Sequence, residues 1–332
     1  MSVGSDRLDL VVAAVSEEAP GIRHVRMRRA DGGALPPFTP GSHIVVEIPA
    51  GRGRARTLAN AYSLTGEPRE PVDYEISVLR CPTADGGAGG SEWIHELAVG
   101  DPVTVLPPRS SFPPIRFARK HVLVAAGIGI TPLLSHLRSH ARWGHEVEVI
   151  YLYRDGMGAH ADEVARLGGD RVTVVHDRAS FLELLPERLS GQPIGTHVYT
   201  CGPASFMDTV VDIAVDTGWP DSRIHLEHFG IDALDAGDPF TVTVTDGPTF
   251  EVASGTSLLE ALEDHGIAVP NLCRQGVCGE CRVTVVPSDD GGPLHRDLYL
   301  SEEDKASGSC LMACVSRALP DANGRAHLEV KP

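Results

Sequence analysis

The sequence predicts a multidomain chain in three parts: an antiparallel β-barrel or sandwich, an α/β domain on a parallel sheet, and a small α+β domain. Three observations carry this. The chain has 332 residues, enough for two or three separately cored domains. Its hydrophobic pattern changes character near His121 and again near Gly237. Three of its seven cysteines crowd into the nine residues CRQGVCGEC, Cys273 to Cys281.

Before His121 the chain reads as short β segments, LDLVVAAV, IRHVRMRR, SHIVVEIP, YEISVLR and DPVTVLPP, punctuated by Pro and Gly. From His121 the apolar run HVLVAA meets GIGITP, and LLSHLRSHARWG has helical spacing stopped by Gly144. EVEVIYLYR, RVTVVHD, the helical FLELLPERL, THVYTCGP and the helical FMDTVVDIAVDTGW follow, and strands alternating with helices predict a parallel sheet covered on both faces. After GIDALDAGD, FTVTVTDGPTFEVA predicts a hairpin turning at Asp246 and Gly247. Ser257 with Glu260 is a capping-box signature for a short helix ending near Gly266. The expected boundaries are 1–117, 118–230, a linker over 231–238, and 239–332.

The formal net charge of −16 argues against nucleic acid, because binding phosphates needs a basic surface. From Gly237 onward, 15 Asp and Glu face 7 Lys and Arg, a net of −8 that suits either solubility or docking on a basic protein. No apolar run is long enough to span a membrane, and charges interrupt the N-terminus, so the expected location is the cytoplasm. An odd number of cysteines without an export signal favours thiols or metal ligands over disulfides.

Cys273, Cys278 and Cys281 follow the spacing C-x4-C-x2-C, and Cys310 and Cys314 follow after 28 and 32 intervening residues. Four thiolates from one loop and one return segment form the plant-type arrangement for a 2Fe-2S cluster. Gly276 and Gly279 supply the positive φ and close backbone approach such a loop needs. Zinc would more often show two paired C-x2-C knuckles, and only one such pair exists here. Spacing alone admits either Cys310 or Cys314 as the fourth ligand.

GVCGECRV, HRDLYLSEEDK and MACVSRA resemble the C-terminal ferredoxin domain of the phthalate dioxygenase reductase and vanillate demethylase reductase family. The resemblance implies a plant-type β-grasp domain, places the fourth ligand at Cys314, and extends over essentially the whole chain. It implies a flavin in the N-terminal barrel. NAYSL resembles the family's R-x-Y-S segment, with Tyr62 beside the isoalloxazine, Ser63 toward its N5 edge, and Leu64 following. Ile76, Ser77 and Val78 would line the flavin, and GGSEWIHEL, with Gly90 and Ser91, would hold the FMN phosphate. The family's Arg is Asn60 here, which removes a bidentate phosphate contact that Arg56, Arg54 or Arg52 would have to replace. FMN is the expected flavin, FAD the alternative.

AAGIGITP resembles the family's dinucleotide turn, so Gly127, Gly129, Thr131 and Pro132 are expected at the pyrophosphate. YTCGP resembles the nicotinamide-side motif, with Cys201, Gly202 and Pro203 shaping the hydride-transfer pocket and Cys201 not a covalent nucleophile. The strand EVEVIYLYR ends at Arg154 and is followed by Asp155; an acid near the adenosine ribose favours NADH, the expected donor, while Arg154 would equally suit the phosphate of NADPH. IHLEHFG resembles the stretch that ends the α/β domain, with Phe229 stacking on the flavin; Glu227 and His228 are expected only to support it. Ser63, Cys201 and Phe229 are thus the expected catalytic group. The resemblance implies the reductase component, a monomer, of a Rieske non-haem iron oxygenase. A cytochrome P450 or diiron monooxygenase is the alternative acceptor.

Overall fold

The computed structural model describes residues 7–51, 58–83, 89–110, 112–229, 236–271, 274–276, 279–287, 292–321 and 324–332. They form two compact units, Met1–His228 and Phe229–Pro332.

The first unit begins with β1 (Leu8–Ala19), β2 (Ile22–Arg29), β3 (Ser42–Ile48), β4 (Leu58–Ser63) and β5 (Tyr74–Leu79), then α1 (Gly90–Glu96) and β6 (Pro102–Ser110). The sheet order is β4-β3-β6-β1-β2-β5, antiparallel throughout. Its two outer strands meet where Leu64 bridges Ile76 and the Thr65 amide donates to the Glu75 carbonyl at 2.9 Å, which rolls the sheet into a barrel. Alternation along the strands sends Leu10, Val25, Met27, Ile44, Val46, Ile48 and Ile76 into one interior.

The same unit continues with β7 (Lys120–Ala126), α2 (Ile130–Trp143), β8 (Val147–Leu152), α3 (Ala161–Gly168), β9 (Val172–Val175), α4 (Arg178–Leu189), β10 (Thr196–Cys201), α5 (Ala204–Asp216) and β11 (Ile224–Glu227). All five strands are parallel, in the order β11-β10-β7-β8-β9. The chain runs outward in both directions from β7, so β7 and β10 flank the point where the order reverses, the place where α/β sheets bind ligands at the carboxyl ends of their strands. Gly144 ends α2 in the left-handed conformation, at φ 67°.

The second unit holds β12 (Phe240–Val244), β13 (Thr249–Val252), α6 (Leu258–Asp264), β14 (Arg282–Val286), β15 (Pro293–Leu294), α7 (Glu302–Ser307), β16 (Cys310–Met312), β17 (Arg317–Ala318) and β18 (His327–Lys331). Its five-stranded sheet runs β13-β12-β18-β14-β16, with β12 and β18 parallel at the centre, and β15 and β17 form a separate ribbon. Asp246 takes a positive φ of 58° in the β12–β13 turn, and the Ser257–Glu260 capping box closes both of its bonds. The buried Arg317 donates to the carbonyls of Asp238, Ala253 and Thr256, fixing where the chain enters this unit. Among the described residues no helix is long and apolar enough to cross a membrane.

Candidate active site and electron-transfer centre

The carboxyl ends of β7, β10 and β11 meet the end of β4. The β10–β11 register sets Cys201 opposite Glu227, and the β7–β10 register sets Cys201 opposite Ala125. The Ser63 hydroxyl, from the barrel, donates to Glu227 Oε2 at 3.5 Å. Glu227 is buried, and desolvation pushes its carboxyl up to about 8, only partly opposed by the Ser63 bond. Burial, and then the charge of Glu227, hold the Cys201 thiol well above its ordinary value. Cys201 is therefore a neutral thiol, unsuited to nucleophilic attack.

The glycine turn after β7 fits tightly against this group. A Cβ on Gly129 would run into the Cys201 carbonyl, and one on Gly202 would meet Ala126 Cβ at 3.0 Å. Gly127 takes φ 54°, and its carbonyl accepts from the Tyr151 hydroxyl at 3.0 Å. Thr131 Oγ1 donates to the Ile128 carbonyl and so caps the turn, and Pro132 sits buried in the first turn of α2. Pro203 leads into α5. Two close-packed backbone loops at neighbouring strand ends, one opening onto α2, suit a dinucleotide. Arg154 and Asp155 are exposed just beyond β8.

On the barrel side, Tyr62 and Ser63 end β4, and burial pushes the Tyr62 hydroxyl up to about 12. The Asn60 amide donates to the Tyr62 hydroxyl at 3.4 Å. A Cβ on Gly90 would collide with Asn60, so the residue standing where the family has Arg packs directly on the backbone at the start of α1. Ser91 Oγ is held between the Cys81 amide, 2.9 Å, and the Cys81 carbonyl, 3.0 Å. Leu64, Ile76 and Val78 point into the barrel. The Ser77 side chain points the other way, where its hydroxyl lies 2.9 Å from His24 Nδ1 and 2.7 Å from His160 Nε2. Strand alternation thus places the Ser77 side chain on the face opposite those of Ile76 and Val78. Arg52, Arg54 and Arg56 lie outside the described residues.

In the second unit, Cys281 and Cys314 are buried and brought together by the Ala313 amide, which donates to the Cys281 carbonyl at 3.0 Å. Cys310 pairs with Thr284, three residues along β14 from Cys281, or about 10 Å at strand rise. Arg274, Gly276 and Gly279 have φ values of 55°, 73° and 80°. At Gly279 a Cβ would strike the Tyr299 ring, so this loop requires glycine. The Gly276 carbonyl accepts from the Leu298 amide at 3.0 Å, and the buried Asp297 carboxylate accepts from the Tyr299 and Leu300 amides. Two buried thiols beside a loop rich in positive φ fit an iron–sulfur cluster; Cys273 and Cys278 lie outside the described residues. Phe229, at the start of this unit, is 41% exposed.

Residues 102–224 match the family model for the N-terminal domain of dimethylamine monooxygenase subunit DmmA-like proteins, and residues 242–319 match the 2Fe-2S iron–sulfur cluster binding domain. The chain is 41% identical to the heme-dependent oxidative N-demethylase beta subunit of Ectopseudomonas mendocina, over 94% of this chain and 96% of that one. It is 36% identical to the carnitine monooxygenase reductase subunit of Acinetobacter baumannii, over 93% and 94% of the two chains. The solved structure of phthalate dioxygenase reductase, described as modular electron transfer from pyridine nucleotides to a 2Fe-2S cluster, superposes with TM-score 0.79 at 33% identity, covering 98% of each chain. The chain belongs to the phthalate dioxygenase reductase family. Members of the family are NADH-dependent oxidoreductases that serve as reductase components of multicomponent oxygenases, with FMN, NADH and a 2Fe-2S cluster as cofactors.

Within this phthalate dioxygenase reductase fold, the residue that sequence reasoning undervalued is Glu227. Its signal was periodicity: His225 and Glu227 share the face that Tyr199 and Cys201 present across the β10–β11 ladder.

Proposed function

We propose that hydride transfer takes place where Ser63, Cys201 and Glu227 meet, and that electrons leave through a cluster held by Cys273, Cys278, Cys281 and Cys314. The observation that carries this is the buried Ser63–Glu227 pair beside Cys201, at the strand ends that also carry the glycine turn. A bound flavin supplies the conversion of a two-electron donor into one-electron steps. Tyr62 supplies an apolar face for it, the backbone of the segments carrying Leu64, Ile76 and Val78 borders it, and Asn60, Gly90 and Ser91 lie toward its phosphate end, where the sequence offers Arg56 as the cation. Gly127, Gly129, Thr131, Pro132, Gly202 and Pro203 form the dinucleotide cradle, and Asp155 beside Arg154 favours the free ribose hydroxyl of NADH. The proximity of Cys314 to Cys281 supports it as the fourth ligand over Cys310.

Glu227 holds a proton at neutral pH and so adds no negative charge where negative charge arrives. Ionising it opposes the transfer. The rate of flavin bleaching by NADH is therefore expected to fall about tenfold between about pH 7 and 9, and Glu227→Gln, neutral throughout, to remain flat. A parallel fall in both proteins would remove Glu227 from the mechanism.

The acceptor is a terminal oxygenase component. A haem-containing oxygenase that demethylates an amine has the stronger support, from the identity to the N-demethylase beta subunit and the match to the dimethylamine monooxygenase model. A Rieske non-haem iron oxygenase is the second reading, supported by the sequence resemblance. Measured NADH-driven reduction of one purified acceptor type and not the other decides between them. We assign the reaction to the cytoplasm, on the odd cysteine count, which favours reduced thiols and metal ligands over disulfides.

A further inference from the structure

On the face of β5 turned away from the barrel interior, four side chains form a continuous chain, three of them buried and the last, Glu18, partly exposed. Glu18 Oε2 lies 3.3 Å from His160 Nδ1, Ser77 Oγ lies 2.7 Å from His160 Nε2, and His24 Nδ1 lies 2.9 Å from Ser77 Oγ. Burial lowers both imidazoles, His160 to about 4, so each ring carries one proton. One proton order satisfies every contact: His24 donates to Ser77, Ser77 donates to His160, and His160 donates to Glu18. Beside it, Arg138 of α2 donates to Glu75 of β5 at 3.2 Å and grips both oxygens of Glu163 in α3. Arg26 and Glu75 are the other charges facing His24.

The position of His160 gives this chain a consequence. His160 precedes α3 with a φ of 53°, a conformation a non-glycine residue holds only when its surroundings enforce it. It closes the segment that leaves β8 through Arg154 and Asp155. The other end of the constraint is Tyr151, whose hydroxyl lies 3.0 Å from the Gly127 carbonyl in the dinucleotide turn and 3.1 Å from the Ala159 carbonyl next to His160, its one proton shared between the two. Ser77 sits between Ile76 and Val78 on the strand whose opposite face lines the barrel. Dinucleotide turn, nucleotide-side segment and flavin-side strand are thus joined through Tyr151, His160 and Ser77.

We propose that the Glu18–His160–Ser77–His24 chain is a positioning device for hydride transfer, fixing the nucleotide-side segment against the flavin-side strand. This rests on the hydride-transfer reading above. The dinucleotide cradle belongs to the α/β part alone, so breaking the chain at Ser77 leaves nucleotide affinity intact and misaligns the two reacting partners.

The test first establishes that NADH bleaches the flavin of the unaltered holoprotein; failure there removes the hydride-transfer reading itself. Ser77→Ala is then expected to lower the limiting rate of bleaching about tenfold, since small misplacements of reacting atoms are costly, with the dissociation constant for NAD⁺ within about twofold of the parent by calorimetry. Hydrogen exchange of the resting protein is expected to rise together in residues 74–79 and 153–165. His160→Asn, which tolerates positive φ, is expected to reproduce both changes, so the idea is still tested if one variant folds poorly. An unchanged limiting rate, a proportional loss of NAD⁺ affinity, or exchange rising in only one of the two segments overturns the proposal.

Discussion

Substituting Gly90 by alanine drives a Cβ into the Asn60 side chain and to within 3.0 Å of Ile48 Cδ1. Asn60 then has to leave the Tyr62 hydroxyl, and overpacking of this kind costs about 1–3 kcal/mol. Gly90→Ala is expected to weaken flavin binding about tenfold, read as flavin fluorescence released on dilution. Combining it with Asn60→Ala is expected to lose less than the two single losses added, because the colliding group has gone. Cys314→Ser is expected to abolish the visible absorption of the cluster while Cys310→Ser retains it; the reverse result would move the fourth ligand into β16. What the sequence made legible at this scale follows from locality. The cysteine spacing, the glycine turn and the Tyr-Ser pair sit in short contiguous segments. Asn60 against Gly90 and Ser63 against Glu227 do not. Asn60 reads as a lost cation until its packing partner, 30 positions on, is known, and the alternation of His225 with Glu227 in IHLEHFG marks a shared face but not the barrel hydroxyl, 164 positions away, that lies against Glu227.

Elements defined by local signals were also legible. The stop at Gly144, the Ser257–Glu260 box and the Asp246 turn each depend on residues a few positions apart. The histidines of α2 were not, because a polar residue at helical spacing reads as a solvated face until the packing is known. His136 and His140 are buried, with His140 stacked on His121 of β7 at 4.1 Å and its Nδ1 3.3 Å from that of His145. Burial, with weaker repulsion from neighbouring rings, lowers His121 to about 4, His136 to about 3 and His225 of β11 to about 4. The unfolded chain takes up these protons near 6.5, and the folded one only near 4 or below. The stability they support is full above pH 6.5 and is lost as pH falls through that window. Thermal melts of the first unit are expected to drop steeply between about pH 6 and 4.5, and His140→Leu to make the decline shallower. Equal slopes would mean that the histidines ionise freely in the fold.

At the scale of the whole molecule, the net charge of −16 is divided evenly, with −8 in the last 96 residues. In α7, Glu302, Glu303 and Asp304 occupy the first turn, where the helix dipole favours them, and the Glu302 side chain is 92% exposed. Its neighbour Lys305, 3.2 Å away, leaves the turn acidic overall. The helix follows the segment 297–300, whose backbone is bonded to the Gly276 carbonyl and whose Tyr299 ring covers Gly279, so the acidic turn stands beside the cluster loop. A field placed there acts on the encounter with a protein acceptor and leaves the earlier steps alone. Glu302→Lys with Glu303→Lys is therefore expected to lower NADH-driven reduction of cytochrome c, a basic acceptor, about fivefold at low ionic strength. At roughly 0.5 M salt, where screening reaches only a few ångströms, the difference is expected to vanish. Bleaching of the flavin by NADH is expected to stay unchanged, because the residues proposed for hydride transfer, Ser63, Cys201 and Glu227, all belong to the first unit. A salt dependence identical to that of the parent protein would show that α7 takes no part in acceptor docking, and would leave the acidic excess as a matter of solubility.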